Sequence, residues 1–240
     1  MTTNLRKSYN DWYENKLKPY SSTAHKSVAL YQEVLTVLRT YVKKKNPKLL
    51  DVACGVGGFL MEAKNDNFEI FGIDISDKAV AVAREKTGAE ITRASAEKMR
   101  YRANSFDVVT CIGSLEHFAD PEKALKEMDR VLRSGGVCLL HVPNLMFAGH
   151  IYMTLRDGSM PSEGGQHFSE EYRTYQGWKD LIESNDFKIV KCDTFNDMSA
   201  SERVSSVIKF LWQNLLKYFV PFHLSYAFNF YCKKRTLPVT

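Results

Sequence analysis

The sequence predicts an α/β fold: a doubly wound, mostly parallel sheet with helices on both faces. Three observations lead there. Short apolar runs alternate with helix-length amphipathic segments, the pattern of consecutive strand–helix units. The first run, LLDVACGVGGFL from Leu49 to Leu60, reads as a buried strand that breaks into a glycine-rich turn and runs on as a helix. The second, EIFGIDI, ends in Asp74, twenty-three residues after Asp51. A Gly-x-Gly turn after one strand and an acid at the tip of the next suit a nucleoside at the carboxyl ends of the strands. Gly55 and Gly57 let the backbone approach a ligand, and Asp74 can accept from both ribose hydroxyls.

The elements follow in order. A short aromatic segment, Tyr9 to Tyr13, opens the chain. Val28, Tyr31, Val34, Leu35, Leu38, Tyr41 and Val42 recur at helical spacing as far as Lys45. Asn46-Pro47 ends that helix ahead of the first strand. Strands are predicted over 48–53, 69–75, 90–95, 106–113 and 137–142. A helix over 121–132 has Asp120 to cap it, Pro121 in its first turn and Gly135-Gly136 beyond its end. Ser169 opens a further helix through Trp178, Leu181 and Ile182, and 188–195 and 226–234 read as two more strands. The organisation is one domain: a helical cap over 1–46, the nucleoside-binding core over 47–195, an amphipathic helical insertion over 196–225, and the last strand and tail over 226–240.

The insertion is the least ordinary part. Val204, Val207, Ile208, Leu211, Trp212, Leu215, Leu216, Phe219 and Val220 lie alternately three and one residues apart, an apolar stripe on one helix face. Ser199 and Glu202 have capping-box spacing at its start, and Pro221 lies beyond its end. Three readings stay open: a helix covering the sheet edge, a contact in a homodimer, or an interfacial helix meeting lipid. Trp212 in the stripe and Lys209 and Lys217 on the other face suit the last. The same lysines and Pro221 speak against a membrane span.

A chain of 240 residues, 44% hydrophobic and 25% charged, can bury a sizeable core. MTTNLRKSYNDWYENK has no apolar stretch of a signal peptide, so a cytoplasmic enzyme is expected, peripheral to the inner face of a membrane if the stripe meets lipid. The five cysteines include no C-x-x-C pair, which points to buried free thiols rather than disulfides or zinc, and no metal is expected. A net charge of +5 permits anionic partners or membrane surfaces without calling for nucleic acid.

The dinucleotide pattern G-x-G-x-x-G needs a third glycine where Leu60 stands. The segment instead resembles motif I of the class I S-adenosylmethionine-dependent methyltransferases, D-x-G-x-G-x-G, here Asp51, Ala53, Gly55 and Gly57, with Ala53 at the first glycine. Ser105 to Asn144 is similar to the second half of the same fold: a strand, a loop carrying Leu115-Glu116-His117, a capped helix, a Gly-Gly turn and another strand. Ala96-Glu97 stands where that family has the Ala-Glu pair beside the adenine, with Ser95 in place of the usual acid. The similarity runs from about Leu49 to Val190 and is to the small-molecule and glycan type, the UbiE/UbiG-like group.

The resemblance implies a Rossmann-like, seven-stranded sheet whose last two strands pair as its antiparallel edge. It implies S-adenosyl-L-methionine as donor, leaving S-adenosyl-L-homocysteine. It also implies a donor site built from Asp51, Ala53, Gly55, Gly57, Asp74, Ile75, Ser95, Ala96, Glu97 and Ile112.

Methyl transfer from a sulfonium is an in-line displacement, so the protein must chiefly align the partners and exclude water. A hydroxyl acceptor also needs a base, whereas an amine need only be kept neutral. His117 follows the fourth strand and is the first candidate base, with Glu116 to orient it or bind the acceptor. In the other reading the pair simply caps the loop. His167, at the end of the glycine-rich GSMPSEGGQHF, is the second candidate or an ordinary helix-start histidine. His141 alternates with apolar residues and reads as a core histidine, and His25, His150 and His223 belong to no constellation.

Some quinone-ring enzymes of this topology hold a divalent ion near the loop after strand four. Glu116, His117 and Asp120 could ligate one, but Asp120 is more simply a helix cap. Ile112 to Leu115 contains no proline, which disfavours flipped-base chemistry. The expected acceptor is a hydroxyl of a sugar, glycan or similar metabolite. The alternatives are ring methylation of a polyprenyl quinone or lipid precursor, and a non-catalytic nucleoside-fold interaction module.

Overall fold

The computed structural model describes residues 6–11, 13, 24–158, 171–196 and 219–235. Seven strands form one sheet: β1 (Lys48–Val52), β2 (Glu69–Asp74), β3 (Glu90–Arg93), β4 (Phe106–Ile112), β5 (Leu132–Pro143), β6 (Phe187–Phe195) and β7 (Ala227–Lys234). Their order is β3-β2-β1-β4-β5-β7-β6. β1 to β5 pair in parallel, and β7 runs antiparallel to both β5 and β6. The last two strands thus form the antiparallel end of the sheet, with the reversed strand second from the edge. Helices α1 (Ala24–Tyr41), α2 (Gly58–Asn65), α3 (Asp77–Thr87), α4 (Pro121–Val131), α5 (Ala148–Asp157) and α6 (Tyr175–Ser184) alternate with the strands.

Alternate strand residues supply two apolar layers. On one face Leu50, Val52, Val109, Cys111, Leu140 and Phe230 pack under Leu125 and Met128 of α4 and Trp178 and Ile182 of α6. On the other, Leu49, Val108, Val137, Leu139 and Tyr231 pack under Val34 and Leu38 of α1, Leu60 of α2 and Val80 of α3. Burying each such aliphatic side chain stabilises by about 1.5–3 kcal/mol.

Four strands stop one or two residues short of the sequence expectation, and two of the stops have a backbone cause. β1 ends at Val52 because Ala53 turns to φ 58°, and β4 ends at Ile112 because Gly113 takes φ 59°. β5 begins at Leu132 rather than Val137. Leu132 pairs with Phe106, and a register shift carries the chain through Gly135 at φ 78° before Val137 pairs with Val108. α6 begins at Tyr175, not Ser169, because the Thr174 hydroxyl accepts from Gly177 N–H (3.2 Å). Ser169 lies outside the described residues, as does the predicted insertion over 196–225 except for residues 196 and 219–225. Among the described residues no helix is long and apolar enough to cross a membrane. All five cysteines are free thiols, four of them buried.

Gly72 in β2 is packed without slack. A Cβ there would sit 2.8 Å from Cys54 Sγ, 2.9 Å from Ile91 Cδ1 and 3.0 Å from Leu60 Cδ1. Gly72→Ala is therefore expected to destabilise the fold by about 1–3 kcal/mol through overpacking, measured as a lower denaturation midpoint with an unchanged m-value.

Candidate active site

The turn after β1 sets the site. Ala53, Gly55 and Gly57 all lie in the left-handed region, at φ 58°, 54° and 79°. Glycine takes such angles without steric cost; Ala53 does not. The turn brings Gly55 N–H to donate to Asp74 Oδ2 (2.9 Å), while Ser76 N–H donates to Asp74 Oδ1 (2.8 Å). Both carboxylate oxygens are thus fixed by backbone. Burial pushes the Asp74 carboxyl up from the usual range, and the backbone hydrogen bonds oppose that. The Ser76 hydroxyl also caps α3 by accepting from Ala79 N–H (3.2 Å).

Asp51 sits behind the turn, only 3% exposed. Thr110 O–H donates to its Oδ1 (2.7 Å), but burial dominates and pushes its carboxyl up to about 7. A carboxyl raised in the folded state favours folding while protonated. Its contribution is lost as pH rises through about 7. A cationic group brought beside it would draw the proton off.

Asp74 opens onto a cleft of about 770 Å³ at the carboxyl ends of the strands. Ala53, Asp74 and Ile75 form one wall, and Ala94, Ser95, Ala96 and Glu97 the next. Gly113, Ser114, His117, Phe118 and Ala119 close the far side. The remaining wall is unexpected: Tyr9 and Tyr13 from the N-terminal helical residues. Ser76 Oγ–H donates to Asn10 Oδ1 (2.6 Å), and Arg6 lies 3.9 Å from Asp77. Had Gly55 a Cβ, it would stand 2.8 Å from the Tyr13 hydroxyl. Burial, and then the charge of Asp74, push the Tyr13 phenol up, so it stays protonated. The i, i+4 spacing of the two tyrosines was the available signal; it puts both on one helix face.

Of the residues implied for the donor, Ala53, Asp74, Ile75, Ser95, Ala96 and Glu97 line the cleft. Gly55 holds Asp74, and Asp51 lies behind the turn. Gly57 faces α3, where a Cβ would meet Thr87 Cγ2 at 3.0 Å and Ala83 Cβ at 3.3 Å. Glu97 does more than line: its Oε1 accepts from Asp120 N–H (3.0 Å), tying the loop after β3 to the start of α4. Ile112 ends β4 half-buried, and the next two residues, Gly113 and Ser114, supply that part of the wall.

His117 reaches the cleft from a 3-10 turn, Leu115–His117. Its Nε2 lies 3.8 Å from Oε1 of Glu116, which is 7% exposed. The Glu116 carbonyl accepts from Glu171 N–H (2.9 Å). Asp120 accepts from Lys123 N–H (3.0 Å) and pairs with the Lys123 ammonium, the geometry of a helix cap. Among the described residues no group of three or more side chains is placed to hold a metal ion. His141 Nδ1 lies 2.7 Å from Asn229 Oδ1, and burial lowers its pKa, so it is a neutral, bonded core histidine. His167 lies outside the described residues.

Residues 50–140 match the family described as "Methyltransferase domain". Demethylmenaquinone methyltransferases from several Staphylococcus aureus strains, including JH9 and Newman, are 38% identical over 112 residues, 43% of this chain and 46% of theirs. The chain thus spans about half the length of the curated relatives it matches. A crystal structure of a Pyrococcus horikoshii OT3 protein superposes with TM-score 0.64 at 20% identity, over 92% of this chain and 98% of that one. A SAM-dependent methyltransferase from Archaeoglobus fulgidus gives 0.58 at 19%, over 85% and 94%. These two likenesses concern the fold. The glycine turn and the anchored Asp74 both lie within the stretch, residues 50–140, that matches the methyltransferase domain.

Proposed function

We propose that the protein transfers a methyl group from S-adenosylmethionine to a ring carbon or oxygen of a polyprenyl quinone or similar lipid precursor. The observation that carries the transfer is that an anchored ribose-type acceptor, Asp74, and a histidine, His117, line the same cleft. Asp74 accepts from the ribose hydroxyls, and the backbone at Ser95 to Glu97 flanks the base. Tyr9 and Tyr13 close the cleft against water. The donor supplies an electrophilic methyl on a positive sulfur. His117 takes the acceptor's hydroxyl proton, and the Glu116 carboxyl beside it favours the imidazolium that results; on a ring carbon, the displaced ring C–H proton then leaves and the hydroxyl is restored.

The acceptor class is supported by the name of the Staphylococcus aureus relatives. It is supported too by the apolar and basic side chains after β5, Met146, Phe147 and Tyr152 beside Arg156. A second reading, methylation of a sugar or glycan hydroxyl, is favoured by His117 alone, because a saturated hydroxyl needs a base.

The two separate in one assay. Purified protein is given methyl-labelled donor with either a short-chain demethylated naphthoquinol in detergent or a panel of nucleotide sugars. Label is expected on the quinol; label on a sugar reverses the assignment. A non-catalytic module is tested in parallel. At a hundredfold excess over its Kd, bound donor adds about 2.7 kcal/mol of stability. Donor binding with no transfer to any acceptor would favour the module.

A further inference from the structure

A nucleoside held at Asp74 has two arms, and the sheet order gives each its own side. β2 lies between β1 and β3, so a ribose at its tip has the glycine turn on one hand and the loop after β3 on the other. Ala94 N–H donates to the Asp74 carbonyl (3.0 Å), which sets that loop beside the ribose. The turn side offers backbone left open by Gly55 and the buried acid Asp51, suited to the charged amino-acid arm. The β3 side offers Ala94 and Ala96, with Ile75 and Phe118 also lining the cleft. That apolar surface suits a planar base, whose polar edge then needs a few placed partners.

Two polar side chains stand on that wall, Ser95 and Glu97. The Glu97 carboxylate is engaged by Asp120 N–H (3.0 Å). Ser95 Oγ accepts from Glu97 N–H (3.2 Å), and the Ser95 carbonyl accepts from Lys98 N–H (3.1 Å), so a short turn holds the hydroxyl in the wall. The bond from Glu97 N–H uses one lone pair of the hydroxyl. Its proton and its second lone pair remain. A hydroxyl so placed accepts from a 6-amino group or donates to a 6-carbonyl. A carboxylate in the same place would only accept, and would repel a carbonyl oxygen.

We propose that Ser95 reads the six-position edge of the donor's base, and reads it leniently, so that the cleft takes a 6-oxo purine nucleoside nearly as well as adenosine. Ser95 is then the residue that sets base specificity in the donor site. This rests on the S-adenosylmethionine reading of the cleft and stands whichever acceptor is used.

The test is calorimetric titration of the full chain with S-adenosyl-L-homocysteine and with its 6-deaminated counterpart, S-inosyl-L-homocysteine. The parent should prefer the adenosyl compound by about tenfold or less, since a hydroxyl satisfies either edge. Ser95→Asp should raise that preference by about ten- to a hundredfold, the equivalent of one hydrogen bond to a charged group. Its carboxylate can still accept from Glu97 N–H, so the turn is kept, and retained adenosyl binding shows the variant folded. Ser95→Ala should weaken both ligands alike and leave the ratio near the parent's. A parent preference above about a hundredfold overturns the proposal. If Glu97→Gln then erases that preference, the Glu97 carboxylate is the reader instead. An unchanged ratio in Ser95→Asp overturns it too. Binding of neither compound to the parent is a different failure: it removes the donor assignment, and this proposal with it.

Discussion

Asp74→Ala is expected to weaken donor binding by at least a hundredfold, the largest effect of any single substitution on affinity. Two charge-assisted hydrogen bonds to the ribose contribute about 1.5–3 kcal/mol each. The change also strips partners from Gly55 N–H and Ser76 N–H, which hold the turn after β1 against the tip of β2. Asp74→Asn separates the contributions, since its amide oxygen can keep one of those backbone bonds while the charge is gone. It should fall between the parent and the alanine variant. Calorimetric titration with S-adenosylmethionine or S-adenosylhomocysteine reads both. Equal affinity in the parent and Asp74→Ala would remove Asp74, and the cleft wall built on it, from the donor site.

His117→Ala should lower the turnover rate by about 100- to 10,000-fold, the usual contribution of a positioned general base, while donor affinity stays put. The deficit should shrink as pH rises, because an acceptor hydroxyl that ionises unaided no longer needs the imidazole. Glu116→Gln should show a smaller loss of the same pH shape, since Glu116 acts only through His117. His167→Ala is the control for the alternative: a raised acceptor KM fits a positioning role. Abolished turnover there with an active His117→Ala would exchange the two assignments. Near-normal rates in both would leave alignment as the whole of catalysis and point to an amine or to an acceptor that arrives already ionised.

The fold was legible because strands covered on both faces must be continuous apolar runs, and glycine and proline punctuate them. Asp74 could be placed from spacing alone, since the tip of the second strand stands next to the turn of the first in any sheet of this winding. The early start of β5 was not legible. Arg133, Ser134, Gly135 and Gly136 carry no strand pattern, and Leu132 is drawn into the sheet by pairing with Phe106 across a register shift. The family pattern located Glu97 beside the cleft, but not its bond to Asp120 N–H. Asn10 and Tyr13 escaped altogether. Their partners, Ser76 and the turn at Gly55, lie dozens of residues away, and a helical periodicity says which residues share a face without saying what that face meets.

That N-terminal wall makes endurance and competence separate properties of the molecule. None of the described residues 6–11 and 13 belongs to either apolar layer, and Asn10 and Arg6 join the rest through the cap and first residue of α3. A preparation nicked by a protease within its first dozen residues would keep both apolar layers of its core. It would nevertheless lack one side of its cleft, so a melting curve recorded without ligand could pass a sample that has nothing left to close over a nucleoside.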